Sequence, residues 1–395
     1  MRDFIEKLEK TGKLVKIKKP VSKKYEIAAL MKRLDGKPVL FEKVKESRYP
    51  VAANICSTRD LLSAGLGIKK EDFITKMPIL THYKEDGGPY LSSAIVVIND
   101  KKIGLNSSFH RMMVIGKDKL VARILPRHFD EYIKRGNKNF VICIGNSPQV
   151  LLASAISCEL GKSELSIANA IKKTDLMQVD GLLASEAEFI LLAEITGEQH
   201  DEGPFMDLTE TFDIVRKQQV IKIKKIYARK NPIYHALLPG GLEHKILMGL
   251  PREPTIFREV SKVCKCKNVL ITPGGCSWLH AVVQIKKQNA DDGRKAIEAA
   301  FKGHSSAKHV FVVDDDTDPY NWSEIEWAMA TRFQGDKDII MKKDKGSSLD
   351  PSADPNTRNT TKIGFDLTIP WDKKIEDFKK HKIPMEDKIN PDDYR

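Results

Sequence analysis

The spacing of apolar positions changes along the chain, and the elements it predicts change with it. Residues 3–11 carry the helical period, and "KLVKIKKPV" (13–21) alternates as a strand with one wet face does. "YEIAALMKRL" (25–34) returns to the helical period, "PVLFEKV" (38–44) reads as a strand, and a further helix is expected at 58–65. "HYKEDGGPYL" (82–91) is a turn-rich joint. A mixed N-terminal α/β unit over residues 1–90 follows.

From 91 to 250 strands dominate. "SSAIVVIND" (92–100) predicts a hairpin turning near Asn99–Asp100 into "IGLNSSF", and "KLVARIL" (119–125) continues it. Helices are expected in "PQVLLASAIS" (148–157) and "SELSIANAIKK" (163–173). Strands resume with "AEFILLAEIT" (187–196), "VIKIKKIYA" (220–228) and "PIYHALLP" (232–239). A linking helix at 253–264 has its apolar stripe at Ile256, Val260 and Val263.

Residues 267–370 alternate strand and helix, which predicts a C-terminal α/β domain over 251–370 with a largely parallel sheet. Its helix "WSEIEWAMATRF" (322–333) has more apolar bulk than a small domain buries, so a homodimer or larger homo-oligomer is expected through it. Residues 371–395 form a charged arm. The fold class expected is α/β (α+β).

At 395 residues, 41% hydrophobic and 30% charged, the composition is that of a globular protein. No window approaches the length of apolar residues a membrane span needs, and the amphipathic N-terminus, which carries acids, is unlike a secretory signal. A cytoplasmic protein without a membrane partner is expected. The six cysteines make no zinc-spaced pairs and fit reduced thiols. The net charge of +12 fits nucleic acid or anionic small substrates, but the lysines are dispersed and no nucleic-acid motif accompanies them. No nucleic-acid partner is expected.

Some motifs fail on inspection. "CELGKSEL" ends like a phosphate loop, but Ile156 stands where its first glycine must be. Asp314, Asp315, Asp316 and Asp318 follow a strand, where Mg²⁺ could sit, yet no phosphate loop partners them. Ser277 and His280 lack both the nucleophile elbow and an acid.

One constellation survives. Asn106, Arg111, Arg123 and His128 crowd "LNSSFHRMMVIGKDKLVARILPRHF", too many polar groups for plain core. Glu194 ends an apolar run, Glu202 opens "EGPF", and Glu243 follows a Gly-Gly turn. Asn106, His128 and Glu194 make a hard oxygen and nitrogen set suited to Mn²⁺ or Mg²⁺. Arg111 offers a planar fork for a carboxylate, with Glu243 as the nearby acid. The plainer alternatives are an Arg–Glu surface pair and a satisfied histidine.

The motifs "N-x-S-x-x-R-M", "P-x-H", "AE", "EGPF", "LPGGLEHKILMG" and "DPYNWSEIEWAMATRFQGDKDIIM…SSLDPS", in that order over roughly 90–370, resemble the UbiD-type decarboxylase family. The resemblance implies a split β-barrel flavin domain over 91–250 that binds prenylated FMN, made by a separate flavin prenyltransferase. It implies Mn²⁺ or Mg²⁺ on Asn106, Glu194 and His128, with K⁺ as a further cation. Flavin contacts would come from Asn106, Ser108, Phe109, His110 and Arg111, from Arg123, Ile124 and Leu125, and from His128. Arg111 and Glu243 would be the catalytic pair. Five residues before Glu243, where some members carry a second glutamate, this chain has Leu238, which implies an incomplete Glu–Arg–Glu network.

The short, lysine-rich form resembles archaeal members that decarboxylate trans-anhydromevalonate 5-phosphate to isopentenyl phosphate. A basic protein suits a small substrate with both phosphate and carboxylate, and His110 would serve that phosphate. The alternative within the family is an aromatic acid such as a 4-hydroxybenzoate. Remoter ones are a Mg²⁺-dependent phosphotransfer enzyme and an RNA-binding protein.

Overall fold

The structure, a computed structural model, describes residues 2–55, 57, 77–381 and 390. The helix expected at 58–65, and 382–389 and 391–395 of the C-terminal arm, lie outside the described residues. The chain divides into two compact units. One is Met1–Arg252 with Thr272–Trp278 and Ser348–Ser352; the other is Glu253–Ile271, Leu279–Ser347 and Ala353–Arg395.

The first unit opens with α1 (Arg2–Lys10), β1 (Val15–Ile17), α2 (Glu26–Arg33), β2 (Val39–Phe41) and β3 (Val51–Ala53). β4 (Tyr90–Leu91), β5 (Ile95–Asp100), β6 (Gly104–Phe109), β7 (Met112–Val114) and β8 (Lys119–Ala122) follow. Next come α3 (His128–Lys134), β9 (Asn139–Ile144), α4 (Pro148–Ser154), α5 (Glu164–Ile171), β10 (Leu176–Val179) and β11 (Leu182–Ser185). The unit continues through β12 (Phe189–Glu202), β13 (Phe205–Met206), β14 (Phe212–Asp213), β15 (Arg216–Ala228), β16 (Tyr234–Ala236) and α6 (Leu242–Gly249).

Its main sheet has eight strands in the order β4-β7-β8-β15-β12-β9-β5-β6. Every pairing in it is antiparallel. Strand alternation divides its side chains between two cores. Val96, Ile98, Phe140, Ile142, Leu191 and Ala193 enter one core, which α2 joins through Ile27 and Met31. Ile95, Val97, Val141, Cys143, Ile190 and Leu192 enter the other, covered by α1, α4 and α5. α2, β2 and β3 share the first core with the large sheet, within the first compact unit.

The predicted hairpin is present, turning at 101–103 with Asp100 opposite Gly104. "PIYHALLP" supplies β16, but it pairs in parallel with β3 and so extends the sheet β1-β2-β3-β16 instead of the large one. The helical insert also carries a small hairpin, β10–β11, that its short apolar runs did not announce.

The second unit comprises α7 (Glu253–Val260), β17 (Lys265–Ile271), β18 (His280–Lys286), α8 (Asp292–Gly303), β19 (His309–Asp314), α9 (Trp322–Arg332), β20 (Ile339–Lys345) and β21 (Asn359–Asp366). Its sheet order is β17-β18-β19-β21-β20. Parallel pairing is confined to the central strands, and both edge strands run antiparallel. One face packs on α7 and α8, the other partly on α9, whose first turn is capped by the Asn321 side chain. Asp314 and Asp316 of the acidic run are ion-paired with the buried Arg332. The His280 ring lies 2.8 Å from that of His309, on the neighbouring strand.

Candidate active site around Arg111

β6 carries Asn106 and Ser107 into a buried corner, where they meet the first residue of α5. Glu164 is almost fully buried and accepts from Asn106 Nδ2 at 3.1 and 3.0 Å, from the Ser107 amide at 2.8 Å and from Cys158 Sγ at 3.0 Å. His128 Nδ1 stands 3.9 Å from Glu164 Oε1. Asn106 Oδ1 is buried with no hydrogen-bond partner, a costly state for an amide oxygen unless a cation or donor meets it. Among the described residues no group of three or more His, Cys, Asp or Glu side chains could hold a metal. The cluster reaches three donors only by counting the amide. A carboxylate, an amide oxygen and an imidazole together suit a hard divalent ion.

Glu194 is not brought to this corner. It sits on β12 opposite Asn139 of β9, three strands from β6, and pairs with Lys224 of β15. β12 does not end there but runs on to Glu202, so the apolar run before Glu194 marked no strand end. The carboxylate that does meet Asn106 is Glu164, which lies in "CELGKSEL", a stretch whose only motif is an incomplete phosphate loop.

Arg111 lies between β6 and β7. Its Nε and Nη2 donate to the two oxygens of Glu202 at 2.9 and 3.0 Å, and Nη1 donates to Asp207 Oδ2 at 2.8 Å. Nη2 also donates to Asp213 Oδ2 at 2.9 Å. The Phe205 ring stacks 4.7 Å from the guanidinium carbon, and the Tyr90 hydroxyl donates to Glu202 Oε1 at 3.1 Å. Burial works against the charge on Arg111, but the Glu202 bonds and the three carboxylates outweigh it and hold the pKa above its ordinary value.

"EGPF" earns its sequence here. Gly203 has φ +104°, and a Cβ on it would stand 3.2 Å from the Ile214 carbonyl oxygen. On Gly87 a Cβ would stand 2.2 Å from the Gly203 carbonyl oxygen. The two glycines let three backbone segments close over the Arg111 pairs.

Glu243 is not among the carboxylates on Arg111. It is buried on α6 and bonded to His235 Nε2 at 3.2 Å. The five-residue spacing that the resemblance attached to Leu238 and Glu243 is realised by Glu202 and Asp207. His244, next along α6, accepts the Gly240 amide on Nδ1 at 3.2 Å and lies within charge range of Asp207 and Arg111. Asp207, Asp213, Tyr90 and His244 carried no sequence signal of their own.

The two flavin-contacting segments expected are side by side. The Arg123 amide donates to the Arg111 carbonyl at 3.2 Å, and His110 Nδ1 lies 3.2 Å from the Arg123 carbonyl oxygen. A carbonyl only accepts, so the proton is on Nδ1, and Nε2 takes the Ser108 hydroxyl at 3.1 Å. Burial pushes the His110 pKa down to about 4. Both His110 nitrogens are engaged within the chain, which leaves neither ring nitrogen free for the phosphate expected of it. Phe109 and Ile124 pack on the two cores, the Ile124 amide is held by Gln218 Oε1 at 2.9 Å, and Leu125 leads towards His128.

Comparison with known proteins gives the family. Three family profiles match in order: the 3-octaprenyl-4-hydroxybenzoate carboxy-lyase N-terminal domain at 5–77, its Rift-related domain at 66–242 and its C-terminal domain at 245–367. The chain belongs to the UbiD family of carboxy-lyases. It is 42% identical to the anhydromevalonate phosphate decarboxylase of Methanocaldococcus jannaschii, over 97% of this chain and all of that one. The UbiD-class enzyme HmfF of Pelotomaculum thermopropionicum, solved with FMN, superposes with a TM-score of 0.92 at 33% identity, over 100% of this chain and 99% of that one. An evolved dimeric form of HmfF, solved with prFMN, gives 0.89 at 32% identity over the same shares.

Proposed function

We propose that the chain decarboxylates trans-anhydromevalonate 5-phosphate to isopentenyl phosphate and CO₂, without net oxidation, using prenylated FMN and a divalent metal. The observation that carries this is Arg111, a guanidinium fork fixed by carboxylates just past the end of β6, the strand that also carries Asn106 of the Asn106–Glu164–His128 donors. The substrate follows from the identity to the archaeal decarboxylase and from a charge of +12, which suits a phosphorylated acid.

When bound, prenylated FMN supplies the electron sink that no side chain offers. Asn106, Glu164 and His128 would hold the divalent ion, and the paired segments at 108–111 and 123–125 would flank the flavin. Arg111 orients the substrate carboxylate, which departs as neutral CO₂. Glu202 has both oxygens on Arg111 and acts as its anchor. Asp207 has one oxygen on Arg111 and a side chain still 16% exposed, so it is the acid placed to return a proton to carbon. The flavin comes from a separate flavin prenyltransferase.

The test is incubation of cofactor-loaded enzyme with this acid and with 4-hydroxybenzoate, following CO₂ and product mass. Release from the phosphorylated acid is expected. Release from the aromatic acid alone overturns the substrate.

A further inference from the structure

Arg111 carries one more carboxylate than a substrate clamp should. Of its five N–H groups, one on Nε and one on Nη2 go to Glu202, one on Nη1 goes to Asp207, and the second on Nη2 goes to Asp213. One N–H on Nη1 is left. A carboxylate held by two parallel bonds needs two.

The three acids differ in what they lose on leaving. Glu202 is fully buried and, among the described residues, its carboxylate is hydrogen-bonded by Arg111 and the Tyr90 hydroxyl alone, so release would strand its charge. Asp213 is shared. Its Oδ1 is 2.7 Å from Arg216 Nη1, and its Oδ2, besides meeting Arg111, is 3.3 Å from Arg123 Nε. Burial alone would raise its pKa, but Arg216, Arg111 and Arg123 together hold it below the usual carboxylate range. Without Arg111 it still faces two guanidiniums.

Its backbone is lightly held as well. β14 pairs with β13 only through Phe205–Asp213 and Met206–Phe212. Ile214 and Val215, which follow, are 64% and 47% exposed, so their side chains do not pin this segment, although their backbone lies close to Gly203.

We propose that Asp213 is a displaceable positioning residue, occupying the Arg111 Nη2 donor until a substrate carboxylate takes it and Asp213 falls back on Arg216 and Arg123. This rests on Arg111 being the carboxylate clamp. The exchange is one carboxylate for another, so the count of charges on Arg111 does not change on binding. A product that has lost its carboxylate cannot compete with Asp213, which returns and favours release.

The test uses protein loaded with unmodified FMN, which lacks the ring needed for turnover. Calorimetry compares the phosphorylated acid with isopentenyl phosphate on wild type and Asp213→Asn. The variant should bind the acid tighter, on the order of tenfold, the scale of one charge-assisted bond, and the product about equally. Hydrogen–deuterium exchange at 205–216 should rise in wild type with the acid or with excess acetate, not with the product, and should start high in the variant. Equal or weaker acid binding by the variant, or parallel loss of acid and product, overturns the proposal. If acetate raises exchange but the phosphorylated acid does not bind, the displacement stands and the substrate reading falls. If the acid binds and exchange stays unchanged, the displacement falls and the substrate stands.

Discussion

Glu202 grips Arg111 with both oxygens, at 2.9 and 3.0 Å, and is itself fully buried. Breaking a buried, bidentate pair leaves a charge without its partner, at a cost of about 3–5 kcal/mol. Glu202→Gln should therefore lower Tm and let the fork drift, worsening KM and kcat together. Thermal melts with steady-state kinetics check this, and an unchanged Tm would contradict the anchoring role.

Arg111→Lys keeps the charge and loses the planar fork. Glu202 and Asp207 cannot both be held by one ammonium in the same geometry. Both KM and kcat should worsen while flavin content, read by absorbance, is kept. A near-normal KM would mean that the substrate carboxylate is bound elsewhere.

Metal content separates two glutamates. Glu164→Gln should lose the divalent ion, since it removes the carboxylate among the Asn106 and His128 donors. Glu194→Gln should retain it, because Glu194 pairs with Lys224 three strands away. Elemental analysis of the two purified variants decides, and the reverse pattern would restore Glu194.

Much of the fold was legible because it rests on local periodicity. Continuous apolar runs in β5 and β12 announced strands that bury both faces, and the hairpin turn fell within a few residues of its expected place, whereas β9 had no strand expected for it. What periodicity could not show was partner choice. β16 looks like any other strand of 91–250 and pairs with β3. The site divides the same way. Asn106 and Arg111 stood out as polar groups spent in an apolar stretch, whereas Glu164 and Asp207 become partners only through contacts 58 and 96 residues away in sequence. Motif spacing assigned to Glu243 a place that Asp207 holds, since an aspartate does not match a glutamate pattern.

Acid should weaken the fold through His82. Its side chain is fully buried, and burial lowers its pKa to about 3 from the ordinary 6.5. The unfolded chain then binds the proton that the folded chain refuses, so stability rises with pH across that window and falls as pH drops from 6.5. The slope from this residue approaches about 1.4 kcal/mol per pH unit. Denaturant melts at pH 6.5 and pH 5 should show a smaller drop for His82→Gln than for wild type. An equal drop would place the sensitivity in other groups.

Trp322 and Met341 of the second unit are 49% and 66% exposed, large apolar side chains for an unpartnered surface. A homo-oligomer through this unit is expected, with a light-scattering mass of at least two chains at micromolar concentration. A strictly monomeric mass would contradict it.

The most direct measurement of the central claim is a single assay of three loaded proteins with trans-anhydromevalonate 5-phosphate, following isopentenyl phosphate by mass. Wild type should form it with release of CO₂. Asp207→Asn, which removes the proton donor, should lose roughly 10²–10⁴-fold in kcat with little change in KM. Glu243→Gln, altered at a residue bonded to His235 and absent from Arg111, should stay within a few-fold in the molecules that remain folded. A wild type that forms no product, or a collapse in Glu243→Gln with Asp207→Asn near normal, would contradict it.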